Sequence, residues 1–337
     1  MYSSVHLTDW ILVIVLSPIF VARAFHWVLE RFLFKDEQAC KSVDSFRAEF
    51  STWLKVVEVR PGRELCILHM VPHTPPRGLL VFVHGACARM HQFEDQFRHF
   101  FESGYEVLSY DGLGCGNSKI PVGNELYRSK EFYSDLIAIL ERFTAERKNV
   151  ATAVIGHSMG AAMVTRLASS SDCAKYTRSV VSMCNPDFSA KGHSMNVFRL
   201  PVSILWLLRP IMGMRARSLL LGPKATARLR AQEKEASARN PVHMFKSFYM
   251  GIDPSMFRIK SLGESLTVPT LFIGAEYDKL CPPSCVERVA AHFKRSTNQP
   301  QFLLAKGCGH QCMQEDPSQL NKMISEFTER HSRIQLG

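Results

Sequence analysis

The pentapeptide Gly156-His157-Ser158-Met159-Gly160 lies between an apolar, β-branched run at 150–155 and a small-residue helical run that begins at Ala161. A buried strand that turns sharply into a helix holds its turning residue in a strained conformation. Glycines two positions before and two after keep side chains away from the closing helix. The spacing therefore predicts a parallel strand, a tight turn and a helix, with the Ser158 hydroxyl pushed into an open pocket. The first N–H groups of that helix, unsatisfied and at the positive end of its dipole, come to lie beside the hydroxyl. Ser158 is thus a candidate nucleophile; the competing reading is a glycine-rich turn without chemistry, and the surrounding sequence has to decide.

The surroundings alternate between the two periodicities. Two strands, over 53–60 and 64–70, are joined by Pro61-Gly62, which has hairpin-turn chemistry. Apolar runs then follow at 79–83, 106–110, 150–155, 179–184, 270–273 and 301–305, with helical stretches near 90–102, 129–146 and 158–169. Such alternation predicts a mostly parallel, doubly wound sheet. The interval 187–268 breaks the rhythm: it is helical, basic and rich in methionine, and Pro201, Pro210, Pro223 and Pro241 divide it. It reads as a helical cap inserted between the sixth and seventh strands.

A 337-residue chain that is 46% hydrophobic can bury one large α/β core. Its net charge of +10 is concentrated, since nine basic residues stand against Glu233 and Glu235 between Trp206 and Met250. That bias suits an anionic surface or a phosphate, or only a solvated face. No aromatic–basic motif accompanies it, so no nucleic-acid partner is expected. Ten scattered cysteines without an Asn-x-Ser/Thr sequon fit a reducing compartment better than a disulfide framework, and no metal or cofactor is expected.

Residues 10–22 are uncharged and mostly apolar, and with Arg23 snorkelling the stretch extends to Leu29, enough for about 30 Å of helix. Residues 23–35 continue as an amphipathic stretch. A cleaved signal peptide is the rival, because Ala22-Arg23-Ala24 has a small-x-small pattern; the first nine residues, however, hold no Lys or Arg. We expect residues 1–35 to form a membrane anchor and interfacial helix, with Arg23, Arg31 and Lys35 keeping the remainder on the cytosolic side.

Four motifs in one order carry a resemblance to the α/β-hydrolase fold family: Leu79-Leu80-Val81-Phe82-Val83-His84-Gly85-Ala86, the elbow, Leu271-Phe272-Ile273-Gly274-Ala275-Glu276-Tyr277-Asp278 and Gly307-Cys308-Gly309-His310. Asp111-Gly112-Leu113-Gly114-Cys115-Gly116-Asn117-Ser118 resembles a further loop of the family, in which Asp111 fixes the loop. The resemblance implies an α/β-hydrolase core over 50–186 and 267–333 and a cap over 187–266. It implies a catalytic set of Ser158, Asp278 and His310, with oxyanion donors on the N–H groups of Ala86 and Met159 and with His84, Gly85, Gly156 and Gly160 supporting the motifs. Glu276 and Asp187 compete with Asp278 for the acid.

These residues imply a serine hydrolase that cleaves carboxylic esters through an acyl-enzyme. The apolar N-terminus and a cap carrying Ile204, Leu205, Trp206 and Leu207 tilt the expected substrate toward acyl lipids at a membrane surface. Thioesterase or acyltransferase chemistry on the same triad, or a non-catalytic scaffold on this fold, are the alternatives. His310-x4-Glu315 stands where some acyltransferase relatives have His-x4-Asp.

Overall fold

The computed structural model describes residues 41–144, 152–188 and 195–332, together with Phe20, Val21 and Ala24. Eight strands form one sheet: β1 (Leu54–Arg60), β2 (Arg63–Met70), β3 (Leu79–Val83), β4 (Glu106–Tyr110), β5 (Thr152–His157), β6 (Ser179–Met183), β7 (Thr270–Ala275) and β8 (Gln301–Ala305). Their order is β1-β2-β4-β3-β5-β6-β7-β8. The β1–β2 hairpin turns at Gly62, whose φ of 74° favours a residue without Cβ. β2 is antiparallel to β1 and β4; every other pairing is parallel. This is the α/β-hydrolase arrangement.

Parallel strands need crossovers, and helices supply them on both faces, so the central strands are buried on both sides and carry continuous apolar sequence. In β3, Leu79, Val81 and Val83 join the core on one face with Val154, Ala162 and Met163. Leu80 and Phe82 join the other with Phe93, Phe97, Ile324 and Phe327. The first core is covered by α3 (Ser129–Thr144) and α4 (Met159–Ala168). The second is covered by α1 (Lys41–Glu49), α2 (Glu94–Glu102) and the C-terminal helix α9 (Pro317–Ser332).

β3 pairs with β4 on one side and β5 on the other, so the chain winds outward in opposite directions from β3. At such a reversal the loops leaving neighbouring strands part and open a crevice at their C-terminal ends. The loop after β3 carries His84, Gly85 and Ala86, and the turn after β5 carries Ser158. Topology alone places them side by side.

Between β6 and β7 the chain forms helices α5 (Val202–Leu220), α6 (Ala227–Arg239) and α7 (Val242–Gly251) before returning to the core; α8 (Pro283–His292) then joins β7 to β8. Pro201 and Pro241 precede the first turns of α5 and α7, where a missing N–H costs nothing. The expectation that Pro210 also divides the segment is corrected, because it lies inside α5. An interior proline costs about 3 kcal/mol. Packing offsets that cost here: Leu205 is buried against Phe198 and Val242, with Trp206, Met212, Phe245 and Tyr249 around them. Among the described residues no helix is long and apolar enough to cross a membrane. The expected anchor, residues 1–35, lies outside the described residues apart from Phe20, Val21 and Ala24.

Candidate active site

Ser158 follows β5 directly, with φ 55° and ψ −117°, and occupies the position before the first turn of α4. A non-glycine residue in this region stores about 1–3 kcal/mol of strain and persists only where its neighbours over-determine it. They do so here. The Ser158 N–H donates to the Met183 carbonyl at 2.9 Å, and its own carbonyl accepts from the Ala162 N–H at 3.1 Å. A Cβ on Gly156 would stand 2.5 Å from the Gly160 carbonyl carbon and 2.8 Å from the Ala161 nitrogen. One on Gly160 would stand 2.7 Å from the His84 carbonyl oxygen, and one on Gly85 3.0 Å from the Ser158 Cβ. The three glycines let the elbow close against the β3 loop.

That loop is aimed by His84. Its Nε2 accepts from the Gly112 N–H at 2.8 Å, which leaves the proton on Nδ1 to donate to the Gly85 carbonyl at 2.7 Å. Burial pushes the imidazole pKa down and keeps it in this neutral form. The Gly85 carbonyl also accepts from the Ala88 N–H at 3.3 Å. In a trans peptide an anchored carbonyl turns the next N–H the opposite way, so the Ala86 N–H is left free. The Met159 N–H, at the first turn of α4, has no partner within its helix. Neither N–H donates a hydrogen bond among the described residues. Asp111 braces the same loop, its two oxygens accepting from the N–H groups of Met90 and Asn117 at 2.8 Å each.

His310 and Asp278 meet beyond β8 and β7. His310 Nδ1 donates to Asp278 Oδ2 at 2.7 Å, while Asp278 Oδ1 accepts from the N–H groups of Leu280 and Cys281 at 2.8 Å each. Both side chains are buried. A proton held on Nδ1 leaves the Nε2 lone pair available as a base. The His310 carbonyl accepts from His157 Nε2 at 2.9 Å and Cys184 Sγ at 3.7 Å. Burial and the neighbouring His310 push the His157 pKa well down. The two rival acids are engaged elsewhere: Glu276 accepts from the Gly307 N–H at 2.7 Å, and Asp187 pairs with Arg288 at 3.3 Å.

Ser158 and His310 line one cavity of about 240 Å3. Ser158 Oγ and His310 are not hydrogen-bonded to each other; such contacts commonly tighten only when substrate is present. The elbow, the Ala86 loop and the His310–Asp278 pair are therefore gathered at one crevice, with Gly85 and Ala86 in its wall. Two sets of atoms have metal-like spacing, His157–Cys184–His310 and Asp278–Cys281–His310, each within 4.8 Å. All five residues are buried and both sets draw on the His310 imidazole, so they are better suited to holding that histidine than to receiving an ion.

Several residues of the site take their role only from the tertiary structure. Glu315 is buried, and its two oxygens accept from the Gly222 N–H just after α5 and the Gly309 N–H beside His310, at 3.0 Å each. The Gln311 N–H adds a bond to the Leu220 carbonyl at 3.2 Å. Glu315 thus ties α5 to the histidine loop. Replacing it by Ala is expected to lower kcat at least 10-fold and Tm by several degrees, the usual scale for losing a buried charged acceptor of two N–H groups. Steady-state kinetics and thermal unfolding check this; unchanged kcat would remove Glu315 from the positioning of His310.

Glu233 comes down from α6 into the cavity and accepts from Gln311 Nε2 at 3.2 Å. Burial pushes its carboxyl up to about 7 from an ordinary 4.5, against the opposing pulls of His310, Gln311, Arg89 and Arg217. Since the folded value lies above the unfolded one, the stability linked to this group is complete below the unfolded pKa and is lost as pH rises through about 7. Glu233→Gln is expected to remove that loss, gaining on wild type by about 3 kcal/mol between roughly pH 4.5 and pH 8. Urea unfolding at the two pH values measures it, and a variant-to-wild-type difference that does not change with pH would contradict it.

A family model described as serine aminopeptidase, S33, matches residues 74–317. Protein ABHD8 of Bos taurus is 28% identical over 254 residues, 74% of this chain and 55% of that protein. The chain spans about half the length of the curated ABHD8 relatives it matches. Among solved structures, a thermophilic esterase from Thermogutta terrifontis is similar with a TM-score of 0.64 at 16% identity, over 83% of this chain and 98% of that one. A bacterial membrane phospholipase A is similar with a TM-score of 0.65 at 17% identity, over 97% and 100%. At these identities the likeness is one of fold.

Proposed function

The chain belongs to the serine aminopeptidase S33 family of α/β-hydrolases, and on that premise we propose that it is a serine hydrolase that cleaves carboxylic esters of acyl lipids through an acyl-enzyme. The observation that carries this reading is the His310–Asp278 bond of 2.7 Å on a cavity shared with a strained Ser158. Ser158 Oγ attacks the ester carbonyl while His310 Nε2 takes its proton. The developing oxyanion is met by the N–H groups of Ala86 and Met159, each such donor worth about 3 kcal/mol. His310 returns the proton to the departing alcohol, and a water then repeats the sequence to free the acid. Asp278 holds the tautomer and stabilises the imidazolium.

The acyl-lipid half of the reading rests on the cavity's apolar side. Ala216, Leu219, Leu220, Phe245, Tyr249 and Leu280 line it. Ala216, Phe245 and Tyr249 also line an adjoining apolar pocket of about 140 Å3 floored by Phe198, Leu205 and Val242. An acyl chain passing from one to the other gains about 0.8 kcal/mol per buried methylene. Outside, Val202, Ile204, Ile211 and Met214 are exposed on α5 near the exposed Arg199 and Arg215, which suits an anionic bilayer surface. The apolar run 10–22 would hold the domain at such a surface.

Across p-nitrophenyl esters from acetate to dodecanoate, kcat/KM is expected to rise at least 10-fold with chain length and to vanish in Ser158→Ala. A flat series would remove the lipid half of the reading. Hydrolysis of aminoacyl p-nitroanilides with none of the esters would replace ester cleavage by peptidase chemistry.

A further inference from the structure

Part of the Ser158 cavity lining is polar and is not satisfied by the described residues themselves. Gln92 is 3% exposed, and neither its Oε1 nor its Nε2 has a hydrogen-bond partner among the described residues. The same holds for His91 Nδ1 and for Gln311 Oε1, each on a side chain 6% exposed. All three residues line the cavity with Ser158 and His310. A buried polar group without a partner costs about 1–3 kcal/mol, so these four atoms of the cavity lining are places where the polar groups of a ligand gain most.

We propose that His91, Gln92 and Gln311 form the subsite for the alcohol half of the ester, and that this alcohol is uncharged and carries further hydroxyl groups. The inference rests on the acyl-enzyme reading above and adds the class of leaving group. Donor and acceptor chemistry selects it. Gln92 Oε1 and Gln311 Oε1 only accept, Gln92 Nε2 only donates, and a neutral imidazole nitrogen does either according to tautomer. His91 is neutral, since burial and the neighbouring Arg89 push its pKa down to about 4. A phosphate or carboxylate brings acceptors alone and leaves both amide oxygens unmet. An ammonium brings donors alone and leaves Gln92 Nε2 unmet. A hydroxyl brings both. Inverting the Gln92 amide leaves this count unchanged, because both of its ends are unpartnered.

The apolar lining comes from α5 and α7, and Ala216, Phe245 and Tyr249 continue into the adjoining apolar pocket, which none of His91, Gln92 and Gln311 lines.

Decanoate esters of ethanol, glycerol, phosphoglycerol and choline test the proposal on the full chain. The expected order places the glycerol ester first, with kcat/KM at least 10-fold above the ethyl ester, the yield of two hydrogen bonds of ordinary net strength. In Gln92→Met, close in volume and without polar ends, that ratio is expected to fall about 10-fold, with Tm unchanged or raised because an unsatisfied amide is removed. Gln311→Met is the second variant should Gln92→Met not fold. A glycerol-to-ethyl ratio near one, a preference for the phosphoglycerol or choline ester, or a ratio that survives both substitutions would overturn the subsite. Wild type that forms no acyl-enzyme with any of the four would instead overturn the reading of Ser158, so the two failures are distinguishable.

Discussion

Asp278→Asn is expected to lower kcat by about 10,000-fold with KM within a few-fold of wild type, the scale seen when a triad acid loses its charge and the histidine takes the wrong tautomer. The structural basis is specific. Asp278 Oδ2 receives the His310 Nδ1 proton at 2.7 Å, and its Oδ1 is already committed to the N–H groups of Leu280 and Cys281. An amide in place of the carboxylate either turns its NH2 toward His310 Nδ1, placing the ring proton on Nε2 where a lone pair is needed, or turns it toward two backbone donors. Glu276→Gln and Asp187→Asn serve as comparisons, because these acids face Gly307 and Arg288. Each is expected to keep kcat within about 5-fold, and since Asp187→Asn leaves only the exposed Arg288 without its carboxylate, Tm is expected to change little. If Asp187→Asn fell as far as Asp278→Asn, the acid would be misassigned.

Gly160→Ala carries the largest expected effect on stability. Its Cβ would stand 2.7 Å from the His84 carbonyl oxygen and closer still to that of Val83. Both are backbone atoms of the loop after β3, so no side chain can swing aside, and α4 has to move off the sheet. We expect a loss of about 3 kcal/mol or more, read as a lower urea midpoint, or no soluble protein. Gly263→Ala is the control. Among the described residues the only atom within contact range of its Cβ is the Ser169 carbonyl oxygen at 3.2 Å, and the expected change is within about 1 kcal/mol. Equal effects of the two substitutions would show that the elbow tolerates displacement from the β3 loop.

The readable parts of this chain are those whose signal is local. A strand covered on both faces tends to be apolar along its length, so β3 stands out in sequence at its observed bounds, while β4, with Glu106 and Ser109, and the half-buried edge strand β8 stand out by their shorter apolar cores. The elbow likewise needs its small residues at fixed offsets from Ser158, and those offsets are visible without a structure. Pro210 misled because propensity describes an isolated helix, whereas α5 is held by Leu205 against Phe198 and Val242. The alcohol wall was invisible for another reason. Gln92 and Gln311 are ordinary polar residues until the fold buries them on one cavity, and Gln311 meets Glu233 from 78 residues away. Glu315 was noticed for its spacing from His310, yet its bond to Gly222 of the cap, 93 residues distant, follows only from tertiary structure.

The central claim is that Ser158 is a nucleophile activated by His310. A fluorophosphonate reacts with such a serine and leaves a covalent adduct whose position can be read by mass spectrometry of the digested protein. One adduct is expected, on the peptide that contains Ser158, formed in wild type, absent in Ser158→Ala and at least 100-fold slower in a folded His310→Ala. No adduct on wild type, or an adduct that persists on another residue in Ser158→Ala at the wild-type rate, would contradict it.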